Sequence, residues 1–290
     1  MGTVNVKLTV YQKLLYHKAE VQFVVINHSA QSAESFPIIL FLLQRMADVI
    51  VEILLYVYLF VFGLIFGSFF NAVGIRTAEK QSIVTPRSHC PYCQHTLGVS
   101  ELIPVVSYLW QKGRCKNCGA TISWKYPFFE FVTACLFTIS PLVVGWSKDL
   151  LVLLLLVSLI IIVSISDLHN MLIPNQVLLF FGIILGIIRL FIQTSPWWDA
   201  YAGAVLGFGL LYLIAVVSKG GMGGGDIKYF AVLGLFLGVK GILLTLFLAA
   251  FVGMLFGLVF MMLGKLKRRQ PVPFAPFIGL AAWISYSFGE

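Results

Sequence analysis

Residues 149–167 read DLLVLLLLVSLIIIVSISD, an apolar run enclosed by two aspartates. A run of about 20 apolar residues can cross the hydrocarbon core of a bilayer as one helix. The whole chain has this character, since 59% of its 290 residues are hydrophobic and only 11% are charged. A soluble domain carries about 25% charged residues, so the composition excludes a soluble enzyme, a disordered chain and a secreted disulfide scaffold. The sequence predicts an all-α polytopic membrane protein.

Further apolar runs predict about eight transmembrane helices in total. The predicted spans cover residues 50–70, 127–146, 149–167, 174–194, 199–218, 227–239, 241–264 and 274–289. The sixth run is short and its borders are indistinct, which leaves a count of seven or nine open. The one long polar stretch between two spans runs from Arg76 to Lys125. We therefore divide the chain into an N-terminal extension (1–45), a first transmembrane helix (46–72), a cytoplasmic loop domain (73–126) and a helical membrane domain (127–290).

Basic residues indicate which side of the membrane each loop occupies, since cytoplasmic loops are enriched in Lys and Arg. Two loops hold most of them, the polar stretch and the loop before the last span: Arg76, Lys80, Arg87, Lys112, Arg114, Lys116, Lys125, Lys265, Lys267, Arg268 and Arg269. With eight spans, both loops lie on the cytoplasmic side. The net charge of +8 then reflects topology and contact with anionic lipid, and it requires no nucleic acid partner.

The first 45 residues do not form a span of their own in this prediction. Their apolar run at 37–43 has seven residues, too few to cross a bilayer, and they lack the layout of a cleavable signal peptide. Met46 is an alternative start directly before the first span. We hypothesise that residues 1–45 are dispensable, and a loss of activity on their deletion would contradict this.

Four of the five cysteines form two C-x-x-C pairs in the polar loop: Cys90, Cys93, Cys115 and Cys118. The two-residue gap lets both thiolates of a pair bind one ion, and two pairs complete a closed, structural zinc site. Disulfides or free thiols are the alternatives, but disulfides are rare in the cytoplasm. His89 and His95 could replace one thiol. Cys135 lies inside a span and is predicted to be a packing residue.

Two aspartates at the ends of predicted spans are candidates for catalysis. Asp167 ends the third span, and Asp226 follows the glycine-rich run GGMGGG at 220–225. An ionisable residue at membrane depth is costly and is by default a functional candidate. Both aspartates lie at cytoplasmic helix ends in the predicted topology, so they can converge. Two carboxyl groups in one site share a proton, so one can activate water while the other protonates a peptide carbonyl.

The glycines before Asp226, among them Gly223 and Gly225, leave room for an extended peptide to approach. Structural roles are the alternative for the aspartates. Asp167 can cap or snorkel at a helix end, and Asp226 can be the N-cap of the sixth helix. Glu130, at the entrance of the second span, either pairs with a loop cation or has a function.

Taken together, these motifs resemble the bacterial type IV prepilin peptidases, the leader peptidase/N-methyltransferase family of GxGD aspartic proteases. The resemblance covers nearly everything from about residue 46 onward. Its motifs follow the family's order: GSFFN at 67–71, the two C-x-x-C pairs, PVVSYL at 104–109, KYP at 125–127 with Glu130, Asp167 followed by IPN at 173–175, and GGGD at 223–226. A lone GxGD carries little weight in a chain with 26 glycines, whereas the whole series is specific.

The resemblance implies a bifunctional enzyme in the bacterial cytoplasmic membrane. The family cleaves the basic leader of type IV prepilins or pseudopilins after glycine, on the cytoplasmic side, and then methylates the new N-terminal residue with S-adenosylmethionine. It implies that Asp167 and Asp226 are the catalytic pair and that the cysteine loop serves methyl transfer, with Gly113 and Glu130 as candidates. The loop shows no glycine-rich nucleotide fingerprint, so methyl transfer rests on the resemblance.

A transporter and a zinc-containing scaffold are the alternative functions. In a transporter the aspartates would bind protons or cations beside a glycine-rich break, although the chain shows no internal repeat. In a scaffold the loop would bind a partner and the aspartates would be structural. A zinc protease is disfavoured because the chain has no H-E-x-x-H motif. Substitution of the aspartates separates these classes by loss of proteolysis, of flux, or of neither.

Overall fold

A computed structural model of the protein describes residues 35–218, 223–264 and 272–289, and these residues form a helical protein. The helices are α1 (Ser35–Ala78), α2 (Val106–Trp110), α3 (Lys125–Val144), α4 (Lys148–Asn170), α5 (Asn175–Phe191), α6 (Asp199–Val217), α7 (Gly224–Met262) and α8 (Ala275–Phe288). A short 3₁₀ helix, Val99–Glu101, precedes α2. The predicted all-α membrane fold is confirmed.

Five of the described helices are long and apolar enough to cross a membrane: α1 from Phe41 onward, α3, α4, α6 and α7. Two more, α5 and α8, are shorter apolar helices. Several predicted features lie outside the described residues. They are most of the N-terminal extension, Lys219, the first two glycines of the run at 220–225, and the basic loop at 265–269.

Helix α1 is longer than the sequence predicted. It begins at Ser35, not near residue 50, and continues to Ala78, beyond the predicted end near residue 70. The apolar run at 37–43 was judged by itself and found too short, but no Gly or Pro separates it from the next run, so the helix continues through the polar residues between them. The described residues before Val57 belong to a separate compact unit, in which side chains 41–55 are exposed. Residues Val57–Gly289 form the main unit.

Helix α7 joins the two predicted spans at 227–239 and 241–264 across a kink. Gly238 interrupts the helix with φ of 67°, a conformation that disfavours residues with a Cβ atom. The buried Arg189 of α5 donates to the carbonyl oxygens of Leu235 at 2.9 Å and Phe236 at 2.7 Å. Beyond the kink, Asp199 Oδ1 accepts from the N–H of Val239 at 3.3 Å. The two side chains thus satisfy backbone groups that the kink frees.

Helix α4 is the centre of the main unit. Of its most apolar 18-residue window 72% is buried, against at most 39% in the other candidate spans. It packs against α3, α5, α7 and α8, and α7 packs closely against α6 and α8. Glycines permit the α6–α7 contact, since a Cβ on Gly207 would lie 2.7 Å from the carbonyl oxygen of Phe230. This arrangement brings the end of α4 close to the starts of α7 and α8.

Candidate active site and metal centre

Asp167 lies in the last turn of α4 and is buried, with 7% of its surface exposed. Its Oδ2 accepts a hydrogen bond of 2.8 Å from the backbone N–H of Ala275, at the start of α8. The first N–H groups of a helix have no partner within that helix and are available to an acceptor of this kind. Asp167 is therefore a buried acid whose side chain is held by the start of another helix.

The chain turns sharply after Asp167. Met171 adopts the left-handed conformation with φ of 52°, and its N–H donates to the carbonyl oxygen of Asp167 at 2.8 Å. Ser166 closes the turn, because its Oγ donates to the carbonyl oxygen of Leu172 at 2.6 Å. The turn places Ile173 and the start of α5 at the same end of the bundle as Asp167.

Asp226 lies in the first turn of α7 and is half-buried. A Cβ atom on Gly223 would lie 3.1 Å from Asp226 Oδ2, so a side chain there would crowd the carboxyl group. A Cβ on Gly225 would lie 2.9 Å from the Cβ of Ile173, which is closer than real Cβ atoms approach. The absence of that Cβ lets the start of α7 pack directly against the turn that follows Asp167.

Lys228 makes a second contact between α7 and the chain after Asp167. Its Nζ donates to Oδ1 of Asn175, the first residue of α5, at 3.0 Å. These contacts bring the segments that carry Asp167 and Asp226 together although 59 residues separate the two aspartates in the sequence. Two neighbouring acids can act as a general base and a general acid on one substrate.

Tyr229 is a polar residue of this site that the sequence reasoning missed. It is fully buried, and its ring lies close enough to interact electrostatically with both Asp167 and Asp226. The available signal was its position three residues after Asp226, which puts the two side chains on one face of α7. Tyrosine is so common among packing residues that this spacing alone did not single it out.

The four loop cysteines form one cluster. Their Sγ atoms all lie within 4.8 Å of one another, and all four are free thiols. The Sγ atoms are 3.8 Å apart between Cys90 and Cys118 and 3.9 Å apart between Cys93 and Cys115. Zn–S bonds of about 2.3 Å in a tetrahedron put sulfur atoms about 3.8 Å apart. The donor set and its size therefore fit a tetrahedral metal ion.

The two C-x-x-C pairs are built alike. In the first, the N–H of Cys90 donates to the carbonyl of His95 and the N–H of Gln94 donates back to the carbonyl of Cys90, both at 2.9 Å. The second repeats the pattern, with the N–H of Cys115 donating to Ala120 and that of Gly119 donating to Cys115. Gln94 and Gly119 occupy the same place in the two turns, and both have positive φ. Each turn thus presents its two thiols to the shared centre.

Backbone N–H groups favour the thiolate form that a metal needs. The backbone N–H of His95 lowers the pKa of Cys93 to about 6, helped by the side-chain amide of Asn117. The backbone N–H groups of Cys118 and Asn117 lower the pKa of Cys115. The backbone of Ala120 acts in the same direction on Cys118, but burial and hydrogen bonds with the other cysteines raise its pKa to about 12. A cation among the four sulfur atoms would favour the ionised form of all of them, Cys118 included.

The two loop histidines do not belong to this cluster. His95 Nε2 lies 3.2 Å from Glu101 Oε2, and His89 Nδ1 lies 3.0 Å from the carbonyl oxygen of Arg87. Among the described residues the metal-binding group consists of the four cysteines.

Gly113 and Glu130, the candidates for methyl transfer, contact opposite ends of the α2 segment. Glu130 is buried, and its Oε2 accepts from the N–H of Val105, the N-cap of α2, at 2.7 Å. Gly113, with φ of 67°, lies against the ring of Tyr108, since a Cβ there would be 2.9 Å from the tyrosine hydroxyl. The two residues thus connect α3, α2 and the second cysteine pair rather than lining one pocket.

A cavity of about 180 Å³ lies where the loop ends and α3 begins. Asn71, Lys125, Tyr126 and His169 are among its lining residues. Asn71, the end of the GSFFN motif, donates from Nδ2 to the carbonyl oxygen of Tyr126 at 3.0 Å. His169, two residues after Asp167, lies 2.9 Å from Glu79 Oε1 through its Nε2. The cavity is therefore bounded by α1, α3 and the helix that carries Asp167.

Comparison with protein families divides the chain into two matched parts. Residues 61–144, which include the cysteine cluster, match the Bacterial Peptidase A24 N-terminal domain. Residues 154–258, which include both aspartates, match the Type IV leader peptidase family.

Curated relatives match most of the chain. A Bacillus subtilis protein named prepilin leader peptidase/N-methyltransferase is 46% identical over 222 residues, which cover 77% of this chain and 90% of the relative. Proteins of the same name from Aeromonas salmonicida and Pseudomonas aeruginosa are 35% and 34% identical. The first alignment covers 73% of this chain and 75% of the relative, and the second covers 76% and 78%. No solved structure matches the chain.

Proposed function

Because the chain belongs to the type IV leader peptidase family, we propose that it cleaves the leader from type IV prepilins or pseudopilins after glycine and then methylates the new N-terminal residue. The names of its relatives combine these two activities. The observation that carries the peptidase is the packing of the start of α7, which bears Asp226, against the turn that follows Asp167.

Asp167 and Asp226 act as the catalytic pair. Two carboxyl groups in one site cannot both ionise cheaply, so the pair holds one proton. The ionised carboxylate takes a proton from water as the water oxygen attacks the scissile carbonyl carbon, and the protonated partner gives its proton to the carbonyl oxygen. The resulting diol returns a proton to the leaving nitrogen, and the C–N bond breaks. The N–H of Ala275 holds the Asp167 side chain in place for these transfers.

The substrate enters over the start of α7. Gly223 is exposed, and the missing side chain leaves one side of the Asp226 carboxyl accessible. An extended peptide needs such an opening because its own backbone must reach the carboxyl groups. Gly225 does not open a path for the substrate, because Ile173 occupies the position where a Gly225 side chain would lie. It allows α7 to pack closely against the turn after Asp167. A positively charged leader is attracted electrostatically to an opening that carries two acidic residues.

The cysteine cluster binds a structural zinc ion through Cys90, Cys93, Cys115 and Cys118. Zinc is the metal that four thiolates in a tetrahedron most commonly hold in proteins. A closed site of four thiolates leaves no coordination position for a substrate, so the ion folds the loop and takes no part in the peptidase chemistry.

Methyl transfer takes place where the loop joins the membrane helices, and S-adenosylmethionine supplies the methyl group. Glu130 and Gly113 serve it by holding the α2 segment against α3 and the second cysteine pair. The cavity lined by Asn71, Lys125 and His169 lies between the loop and the helix that carries Asp167.

The active site and the cysteine loop face the cytoplasm. The loop carries seven of the basic residues that mark cytoplasmic segments. The end of α4 lies together with the starts of α7 and α8 at one end of the bundle, and we place that end at the cytoplasmic surface. A prepilin carries its basic leader on the same side, so its scissile bond meets the aspartates at the membrane surface.

Intact-mass measurement on detergent-purified protein tests both activities. A synthetic prepilin is incubated with the protein, with and without S-adenosylmethionine. We expect a loss of mass equal to the leader, and a further gain of one methyl group only when the methyl donor is present. No change with a panel of prepilins and pseudopilins would reject the proposed function.

Substitution of the aspartates identifies the catalytic pair. Asp167→Asn and Asp226→Asn should each abolish cleavage while the protein still inserts into membranes. The matched control is Asp149→Asn, an exposed residue at the other end of α4, which should retain wild-type cleavage. If either active-site variant cleaves at the wild-type rate, the assignment is wrong.

A further inference from the structure

Tyr229 is a buried polar residue without a polar partner among the described residues. Its side chain is fully buried, and no described atom forms a hydrogen bond with its hydroxyl group. Buried hydroxyl groups nearly always have a partner, and an exception in a native protein calls for an explanation such as a bound water or a catalytic role. The core around Tyr229 is formed mostly by apolar side chains such as Phe230 and Leu233, which offer no alternative partner.

The position of Tyr229 favours the catalytic explanation. It lies one turn after Asp226 on α7, and side chains three residues apart share one helix face. The residue also interacts electrostatically with Asp167 of α4. Tyr229 therefore lies on the face of α7 that carries Asp226, with a buried hydroxyl group that has no hydrogen-bond partner among the described residues.

We propose that the Tyr229 hydroxyl is a catalytic group that holds the nucleophilic water against the carboxyl groups of Asp167 and Asp226. This inference rests on the proposed peptidase function. A buried water typically makes about three hydrogen bonds to polar groups, and the free acceptor positions of the two acids together with the unpartnered phenol supply them.

The step balances without any change in the tyrosine. The water donates one hydrogen to the ionised carboxylate and the other to Tyr229 Oη, which leaves an oxygen lone pair directed at the scissile carbonyl carbon. As the C–O bond forms, the first proton passes to the carboxylate, and the second carboxyl protonates the carbonyl oxygen. The phenol keeps its own proton throughout and orients the attacking oxygen.

Tyr229→Phe tests this inference with little risk to the fold, since it removes one oxygen atom and leaves the buried ring. We expect kcat for prepilin cleavage to fall about 10- to 100-fold, as for the loss of one hydrogen bond that orients a reacting group, and KM to change less than about twofold. The melting temperature in detergent should stay the same or rise, because the substitution removes a buried hydroxyl that has no protein partner. The matched control is Tyr212→Phe, an exposed tyrosine of α6, which should change neither quantity.

The outcomes separate this inference from the proposed function. If the wild-type protein cleaves and Tyr229→Phe cleaves with an unchanged kcat, the inference is wrong and the peptidase assignment stands. If kcat and melting temperature fall together, Tyr229 has a structural role, and the inference is again wrong. If the wild-type protein itself cleaves no prepilin, the proposed function fails first.

Discussion

The carboxyl group of Asp167 accepts a hydrogen bond of 2.8 Å from the backbone N–H of Ala275, 108 residues further along the chain. This contact makes α8 part of the candidate active site, although the helix carries no charged side chain. Helix starts hold acceptors well because their first N–H groups have no partner within the helix. The last helix is therefore expected to influence catalysis through its backbone.

Replacing Ala275 by Pro should weaken cleavage, because proline has no N–H to donate. Proline is compatible with the first turn of a helix, so α8 should still form, although Phe274 has αR backbone angles and must shift toward the extended region before a proline. A hydrogen bond to a charged group contributes about 1.5–3 kcal/mol, and its loss should lower kcat about 10- to 100-fold in the prepilin assay. The measurement is initial cleavage rate at saturating peptide.

Ala275→Val is the matched control for this prediction. Valine adds side-chain carbon atoms as proline does, but it keeps the backbone N–H. Ala275 is fully buried, so the control separates crowding from the lost hydrogen bond. Equal losses in the two variants would attribute the effect to packing and contradict the role of the N–H group.

Gly225→Ala should lower activity by displacing Asp226. The added Cβ would lie 2.9 Å from the Cβ of Ile173, so the start of α7 must move away from the turn after Asp167. Small displacements of reacting groups reduce rates strongly, and we expect at least a tenfold loss in kcat, an order-of-magnitude figure. Gly224→Ala is the control, because a Cβ there meets no atom within 4 Å, and it should retain activity. Similar losses in both variants would indicate that backbone flexibility, rather than close approach, is what the glycines provide.

The sequence predicted the local features of the candidate site because each has a recognisable residue composition or spacing. The four cysteines are recognisable from a two-residue gap, and the aspartates stand out because acids are rare beside long apolar runs. The helix ends near Asp167 and Asp226 followed from the lengths of these runs. What a single sequence cannot reveal is which backbone group meets a side chain, so the contact of Ala275 with Asp167 required the structure.

Tyr229 and the early start of helix α1 were missed for different physical reasons. A buried tyrosine in an apolar segment cannot be told from a packing residue by sequence, since its ring fits the apolar pattern of the helix as well as Phe230 next to it does. Helix α1 was placed too late because a short apolar run was judged alone, whereas helix formation depends on the absence of breakers as well as on hydropathy. Deletion of residues 1–45 therefore removes the first part of helix α1, from Ser35 to Arg45. That activity survives this deletion stays a prediction.

Metal content should fall as the pH is lowered, because only the thiolate binds the ion and protons compete for it. The depressed pKa of Cys93, about 6, stabilises its thiolate above that pH and loses this effect below it. We expect about one zinc per chain at pH 7.5 and progressive loss on dialysis below about pH 6, measured by elemental analysis. Cys115→Ser should release zinc at neutral pH, whereas Cys135→Ser, outside the cluster, should not. Unchanged metal content in Cys115→Ser would contradict the zinc site.

Gly238→Ala should destabilise the protein at the kink of α7. Its φ of 67° costs a residue with a Cβ atom about 1–2 kcal/mol, and the new Cβ would collide with Oδ2 of Asp199. Asp199 would then lose its hydrogen bond with the N–H of Val239. We expect the melting temperature in detergent to fall by several degrees, on the order of 2–4 °C for each kcal/mol.

The control for the kink is Gly257→Ala, in the same helix, where a Cβ meets no atom within 4 Å. Alanine is the better helix former by about 1 kcal/mol, so this variant should be as stable as the wild type or more so. The kink lies 12 residues after Asp226, so its loss should reduce cleavage only as far as it loosens α7. An unchanged melting temperature in Gly238→Ala would show that the break at residue 238 tolerates a side chain, and would contradict the need for glycine there.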